Sequence, residues 1–363
     1  MTSEAYIHAI AVHLPKSSVT NEQLHLENPD WEMDRIAQKT GIEARHIASP
    51  GETASDLAWA AAERLFEDNS ADRSEIDYVL FCTQSPDYFL PATACILQHR
   101  LRLPVTCGAI DFNQGCSGYV YGLQLASALV RSGTARKVLL LTGETYSRYI
   151  HPRDRSVRVL FGDAGSATLI SNMPGGARII DSVVGTDGGG WQNLIVPAGG
   201  ARMPKDADAQ VESEDENGSI RSQANLYMQG QELFAFTLKR VPPMVKQLLA
   251  KTGISDTDVD MFVFHQANAF MNEHLRAKMG IDAAKTPLYL REIGNTVSNT
   301  IPLTLCSLES KLESGKKVML AGFGVGYSWG ASLLEWGAVK LMPSQSMDQV
   351  PNDAAQVLEG SSE

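Results

Sequence analysis

A cysteine, a histidine and an asparagine stand in this chain at places where an α/β protein can do chemistry. Cys116 lies in Gly115-Cys116-Ser117-Gly118, just ahead of a helical run over 119–129. At such a junction the positive end of the helix dipole and the free N–H groups of the first turn favour a thiolate. The small neighbours permit a tight turn and close approach of a substrate. His265 follows the apolar run 260–264 and begins His265-Gln266-Ala267-Asn268. Ligands of parallel sheets collect beyond the carboxyl ends of the strands, so a polar cluster there is well placed. Asn295, in Gly294-Asn295, opens a second helical pattern. The expectation is a nucleophilic thiol with two hydrogen-bonding partners.

Competing assignments are weaker. Cys82, Cys95, Cys107 and Cys306 sit in apolar or strand-like surroundings that suit structural thiols. His46 and His151 do not follow an apolar strand so directly. Gly322-Phe-Gly324-Val-Gly326 is not GxGxxG, because position 327 is tyrosine, and so carries no dinucleotide fingerprint. Gly326-Tyr-Ser328-Trp-Gly330 satisfies GxSxG, but the last histidine, His274, precedes Ser328, which breaks the chain order of a serine hydrolase. Walker A and HExxH sequences are absent.

The chain must then supply elements that bring positions 116, 265 and 295 together. Its 363 residues, 44% hydrophobic and 20% charged, suffice for a large core, either two domains or one duplicated unit. Thirty-one basic against 42 acidic residues give −11, which argues against a phosphate-backbone binder and hence a nucleic-acid partner. The five cysteines form no CxxC pair and match neither a zinc site nor a disulfide framework, so no metal is expected. No signal peptide and no membrane-length apolar run is read, so the expected location is cytoplasmic.

Helical and strand-like runs recur in one order. A helical run at 54–67 leads to an apolar strand at 77–82. A helix starting at Val241, with Pro242 and Pro243 in its first turn, leads to the strand at 260–264. The helix opened by Gly115-Cys116 pairs with one running from Gly294-Asn295 to Leu312. Strands at 137–141 and 317–321 follow, and Phe161-Gly-Asp-Ala-Gly165 parallels Phe323-Gly-Val-Gly326. The reading is two α/β halves, 1–175 carrying the cysteine and 176–341 carrying histidine and asparagine. An acidic excursion interrupts the second half at 196–226, and the tail 342–363 reads as disordered.

These motifs, with Gln114 ahead of Gly115, Thr296 after Asn295 and Lys39-Thr-Gly41-Ile-Glu-Ala-Arg45-His46, resemble the β-ketoacyl-acyl-carrier-protein synthase III family. The resemblance covers residues 5–338. It implies a thiolase-like duplicated five-layer αβαβα fold, usually a homodimer, acting on coenzyme A or phosphopantetheine thioesters without a tightly bound cofactor. Cys116 would accept an acyl group from acyl-CoA or acyl carrier protein, and the N–H groups of Cys116 and Val325 would hold the oxyanion. His265 and Asn295 would bind the carbonyl of a malonyl-type extender during decarboxylative condensation. Leu90, Arg155, Asn268, Gly324 and Gly326 would contact substrate.

Departures from the family pattern imply a specialised member. Phe270 stands where a carrier-docking arginine is common, Arg35 where a tryptophan stacks on adenine, and Lys39 where an arginine precedes Thr-Gly-Ile. Leu90 replaces a phenylalanine that limits primer length, which implies a longer or unusual acyl group. The long 196–226 excursion is a candidate cover for the entrance. Arg153, Arg155, Arg276 and Lys278 are the candidate docking cations. A close alternative moves the Cys-bound acyl group to an oxygen or nitrogen nucleophile without decarboxylation. Chalcone-synthase-like enzymes carry proline where this chain has Val325, and a hydroxymethylglutaryl-CoA synthase would need a catalytic glutamate that has no candidate here.

Overall fold

The computed structural model describes residues 4–344. The framework strands are β1 (Tyr6–His13), β2 (Tyr78–Cys82), β3 (Gly108–Phe112), β4 (Lys137–Glu144), β5 (Ala164–Ser171), β6 (Ala177–Thr186), β7 (Met261–Phe264), β8 (Lys317–Gly324), β9 (Ser328–Glu335) and β10 (Lys340–Met342). The helices that position the site are α1 (Ala54–Glu67), α2 (Thr93–Arg100), α3 (Gly118–Arg131), α4 (Gly230–Thr252), α5 (Ala269–Met279) and α6 (Thr300–Ser307).

Hydrogen bonding runs continuously in the order β7-β8-β9-β6-β1-β5-β4-β2-β3, with β10 parallel to β1. On one side of the β1–β6 junction, β1–β5 and β5–β4 are antiparallel while β4–β2 and β2–β3 are parallel. On the other side β6–β9 and β9–β8 are antiparallel and β8–β7 is parallel. The two sets therefore repeat one topology. No strand among the described residues matches β3.

Three buried clusters separate five layers. Helix α1 covers one face of β1, β4 and β5 through Leu65, Phe81, Leu139 and Leu169. Helices α3 and α6 lie between the two strand sets, with Tyr119, Leu123, Ile301 and Leu320 in the shared core. Helix α4 covers the far face of β6, β8 and β9. Helices cover both faces of this strand set, and every residue of β5 is buried. The αβαβα layering expected from the resemblance is present. No helix among the described residues is long and apolar enough to cross a membrane.

Helix α1 spans the residues that its spacing predicts, and Thr53 with Asp56 forms a reciprocal capping box at its start. Helix α4 differs. It starts at Gly230, so Pro242 and Pro243 lie inside it rather than in its first turn. Interior prolines cost about 3 kcal/mol or more in an isolated helix. Here Leu233, Phe236, Val241 and Val245 bury one face against the sheet, and that packing holds the helix through the prolines. The helix expected over 294–312 is also shorter. A 3-10 turn at Val297–Asn299 precedes α6, which ends at Ser307.

The expectation of a tail free of structure from 342 onward fails at its first residues. Met342 pairs with Ala11 in β10, and the Ser344 hydroxyl accepts from the Leu14 N–H at 3.3 Å. The remainder of that tail lies outside the described residues. The 196–226 segment is built onto 149–154. The Leu226 N–H donates to Tyr149 O at 2.8 Å, and Arg221 pairs with buried Asp154 at 2.9 Å and with Asp215 at 2.6 Å. Its acidic run 212–216 is largely exposed.

Candidate active site

Cys116 lies two residues ahead of α3, in the turn closed by the Gly118 N–H on Gly115 O at 2.8 Å. The end of β8 crosses directly over it. A Cβ on Gly324 would stand 3.0 Å from both Cβ and Sγ of Cys116, and one on Gly322 would stand 2.7 Å from the Cys116 carbonyl oxygen. Only glycine allows that approach. Two backbone N–H groups, those of Cys116 and Val325, reach the sulfur.

The thiol is 5% exposed, and burial pushes it up to about 12, with the nearby Glu144 adding to the effect. This corrects the thiolate expected from the helix N-terminus. Desolvation of a buried anion outweighs the dipole and both N–H groups.

His265 continues β7, its N–H donating to Ala321 O at 2.8 Å, and is 1% exposed. Its Nδ1 stands 2.7 Å from Thr300 Oγ1 at the start of α6. Burial pushes the imidazole down to about 3, so the ring is neutral at physiological pH. Asn295 is stitched to the other half of the chain: its N–H donates to Leu160 O at 2.8 Å, and its carbonyl accepts from the Gly162 N–H at 3.0 Å. Its Oδ1 accepts from the Val297 N–H at 3.0 Å, which turns the amide nitrogen away from that contact. Val297 takes φ +56°, an uncommon conformation for a β-branched residue and a local strain beside the site.

Cys116, His265 and Asn295 line one cleft with Leu160, Phe161, Leu194, Met228, Leu233, Met271 and Phe323. The wall is mostly apolar, and Cys116, His265 and Asn295 are all buried in it. Asn268 and Gly324 also line it. Asn268 has a second task, since its Oδ1 caps α5 by accepting from the Met271 N–H at 2.8 Å. Val325 and Gly326 form the turn after β8, with Gly326 at φ +130°. Among the described residues no cluster of three or more His, Cys, Asp or Glu is placed to hold a metal.

Three expected substrate contacts, Leu90, Arg155 and Gly326, are not among the residues that line this cleft. Leu90 is 83% exposed in a loop with Tyr88 and Phe89, because the chain beyond β2 turns outward to solvent. Arg155 donates to Asn217 O at 3.2 Å in the acidic segment, which draws its guanidinium away from the cleft. The 196–226 segment contributes no residue to the cleft lining; its flanks, Leu194 and Met228, do. Most candidate docking cations are engaged locally. Arg153 pairs with Glu212 at 2.7 Å, and Arg276 pairs with Glu273 and donates to Ile281 O. Lys278 is exposed. Phe270 packs with Phe234 and His274, with Lys39 Nζ 5.3 Å from its ring centre.

Sequence reasoning missed Thr300, Glu144 and Gln84. Glu144 is fully buried at the end of β4 and accepts from the Gln84 N–H at 3.1 Å and the Ser298 hydroxyl at 3.2 Å. No local pattern marks these residues, since each gains its role from partners far along the chain.

Residues 110–188 match the family described as 3-oxoacyl-[acyl-carrier-protein (ACP)] synthase III, and residues 249–336 match its C-terminal part. A β-ketoacyl-[acyl-carrier-protein] synthase III from Caldanaerobacter subterraneus is 34% identical over 326 residues, spanning 89% of this chain and 95% of its own. A crystal structure of a 3-oxoacyl-(acyl-carrier-protein) synthase III is 49% identical with a TM-score of 0.89, covering 92% of this chain and 100% of its own. The 3-oxoacyl-(acyl-carrier protein) synthase from Burkholderia xenovorans LB400 is 38% identical with a TM-score of 0.86, covering 94% and 97%. With near-complete coverage of both chains at these identities, this chain belongs to the β-ketoacyl-acyl-carrier-protein synthase III family, of thiolase-like fold.

Proposed function

We propose that this protein is a ketosynthase that loads an acyl group onto Cys116 and extends it by decarboxylative condensation with a malonyl-type thioester. One observation carries the reading: a buried thiol shares an apolar cleft with a neutral imidazole and an oriented carboxamide, both able to donate. The Cys116 sulfur attacks the thioester carbonyl of an acyl-CoA or acyl carrier protein. The developing oxyanion accepts from the N–H groups of Cys116 and Val325. The carbonyl re-forms, the donor thiol leaves with the proton, and acyl-Cys116 remains.

The extender then enters by its pantetheine arm. Its carbon–carboxylate bond breaks, carbon dioxide leaves, and the electron pair forms an enolate. His265 Nε2–H and Asn295 Nδ2–H donate to the enolate oxygen. A hydrogen bond donated to Nδ1 by the Thr300 hydroxyl, 2.7 Å away, would keep the ring proton on Nε2. The enolate carbon attacks the acyl-Cys116 carbonyl, collapse breaks the carbon–sulfur bond to give the β-ketoacyl thioester, and the released Cys116 thiolate takes up a proton from solvent. No tightly bound cofactor is required.

We also infer a homodimer. Strand β3 is a free sheet edge with Ile110 41% exposed, and the neighbouring Phe89 and Leu90 are almost fully exposed. A second copy would cover that edge and its apolar rim.

Intact-protein mass spectrometry tests the central reading. Acyl-CoAs and acyl carrier proteins should leave an acyl adduct that Cys116→Ala abolishes, and a malonyl donor should then release carbon dioxide. An adduct that passes to an oxygen or nitrogen acceptor without carbon dioxide would support simple acyl transfer instead. No adduct from any donor would refute the enzyme reading.

A further inference from the structure

Glu144 ends β4 with its side chain fully buried, and no step of the condensation uses it. Its Oε2 accepts from the Gln84 N–H at 3.1 Å and from the Ser85 hydroxyl at 3.4 Å, and its Oε1 lies 3.2 Å from the Ser298 hydroxyl. Two of these partners reach the turn that holds the nucleophile. Gln84 Oε1 stands 2.6 Å from where a Cβ on Gly115 would be, and Ser298 Cβ stands 3.5 Å from where one on Gly118 would be. Cys116 lies between those two glycines. Ser298 also follows Val297, whose N–H holds Asn295 Oδ1 at 3.0 Å. One carboxyl therefore joins the turn that presents the thiol to the turn that orients the carboxamide, far along the chain.

The surroundings favour a carboxyl without charge. Cys82, Cys116, Tyr146, Tyr149 and Asp163 are the titratable groups that act on it or feel it, and negative charge on any of them opposes negative charge on Glu144. Arg148, beside Asp163, donates instead to the carbonyls of Ser49 and Glu52 at 2.6 and 3.0 Å. Burial pushes the Glu144 carboxyl up to about 8. It pushes the Cys116 thiol up to about 12, with Glu144 adding to the effect. Attack on a thioester draws negative charge through the sulfur, and a second negative charge in the same buried region opposes that step.

We propose that Glu144 is a positioning residue of the active site: uncharged, it joins the Cys116 turn to the Asn295 turn, and ionised, it holds back the thiol. The nucleophile thus has an alkaline limit set by a neighbouring carboxyl. A carboxamide in its place keeps the joining contacts and loses the limit, because its oxygen can accept from Gln84 and Ser85 and its nitrogen can donate to Ser298.

The test follows Cys116 by intact-protein mass spectrometry between pH 6 and pH 9, as initial rates with two reagents. One is the acyl-CoA that loads fastest, which rests on the ketosynthase reading; the other is iodoacetamide, a neutral alkylating agent that does not. The rate of Glu144→Gln divided by that of the wild type should climb about ten-fold over this range with both reagents, since only the wild type gains the charge. The ratio cancels the rise in thiolate common to both proteins. Ser298→Ala breaks the joining contact on the Asn295 side, so carbon dioxide release from the malonyl donor should fall about five-fold or more beyond any fall in acylation. If Glu144→Gln does not fold, the wild type alone answers: alkylation should gain less than about ten-fold per pH unit from pH 7 to pH 9. A ratio flat with pH, an even ten-fold gain per pH unit in the wild type, or equal losses in Ser298→Ala would overturn the proposal alone. Loading without carbon dioxide release in the wild type, or no loading from any donor, would overturn the ketosynthase reading alone, because alkylation still reports on Glu144.

Discussion

His265 Nδ1 stands 2.7 Å from the hydroxyl oxygen of Thr300, at the first residue of α6. The same hydroxyl lies 3.2 Å from Val297 O, so its single proton has two acceptors within reach. Donated to Nδ1, it leaves the imidazole proton on Nε2, where the condensation needs a donor.

Thr300→Val removes that control and frees the ring to carry its proton on Nδ1. Decarboxylation of the malonyl donor should fall by about ten- to a hundred-fold. Acylation of Cys116 should stay close to wild type, and Thr300→Ser should restore decarboxylation. Separate measurement of adduct formation and carbon dioxide release checks this. Equal losses in both steps would mean that Thr300 serves folding rather than the tautomer.

Gly324→Ala should silence the thiol with little effect on the fold. The added methyl would stand 3.0 Å from Cys116 Cβ and Sγ, so the cysteine side chain must shift away from the Cys116 and Val325 N–H groups. Acylation should fall by about a hundred-fold or more, in line with loss of an oxyanion donor. The overpacking should cost about 1–3 kcal/mol of stability. Adduct kinetics and calorimetry on one preparation separate the two effects, and wild-type loading in the variant would contradict the close packing of β8 over the nucleophile.

Glu144 should shape the pH dependence of stability. Burial pushes its carboxyl up to about 8 from 4.5. The folded state therefore keeps a proton that the unfolded state loses between these values. Its contribution is fully present below pH 4.5, is lost as pH rises toward 8, and changes no further above that. Glu144→Gln removes this slope, so the melting temperature of the variant should gain on the wild type from pH 5 to pH 9. His265 works in the opposite sense. Held down at about 3 from 6.5, it makes stability fall as pH drops through that window. Melting curves at pH 5, 7 and 9 decide the matter, and parallel profiles for the two proteins would exclude a proton held on Glu144.

The parts of this protein legible in its sequence are those governed by neighbours within a turn or a strand. Helix α1 is one, because its capping box and apolar spacing are local. The placement of Cys116 between a strand and a helix, of His265 after β7, and of Asn295 after a left-handed Gly294 could likewise be read from residue type and order. Helix α4 could not, because distant packing holds it through Pro242 and Pro243. The ionisation of Cys116 was misread for a related reason: a dipole is local, while desolvation depends on everything that closes over the sulfur. The positions of Leu90 and Arg155 outside the cleft and the contact of Thr300 with His265 also belong to the tertiary structure. They depend on which carbonyls, hydroxyls and rings meet across tens to hundreds of residues, and one-dimensional spacing does not encode those meetings.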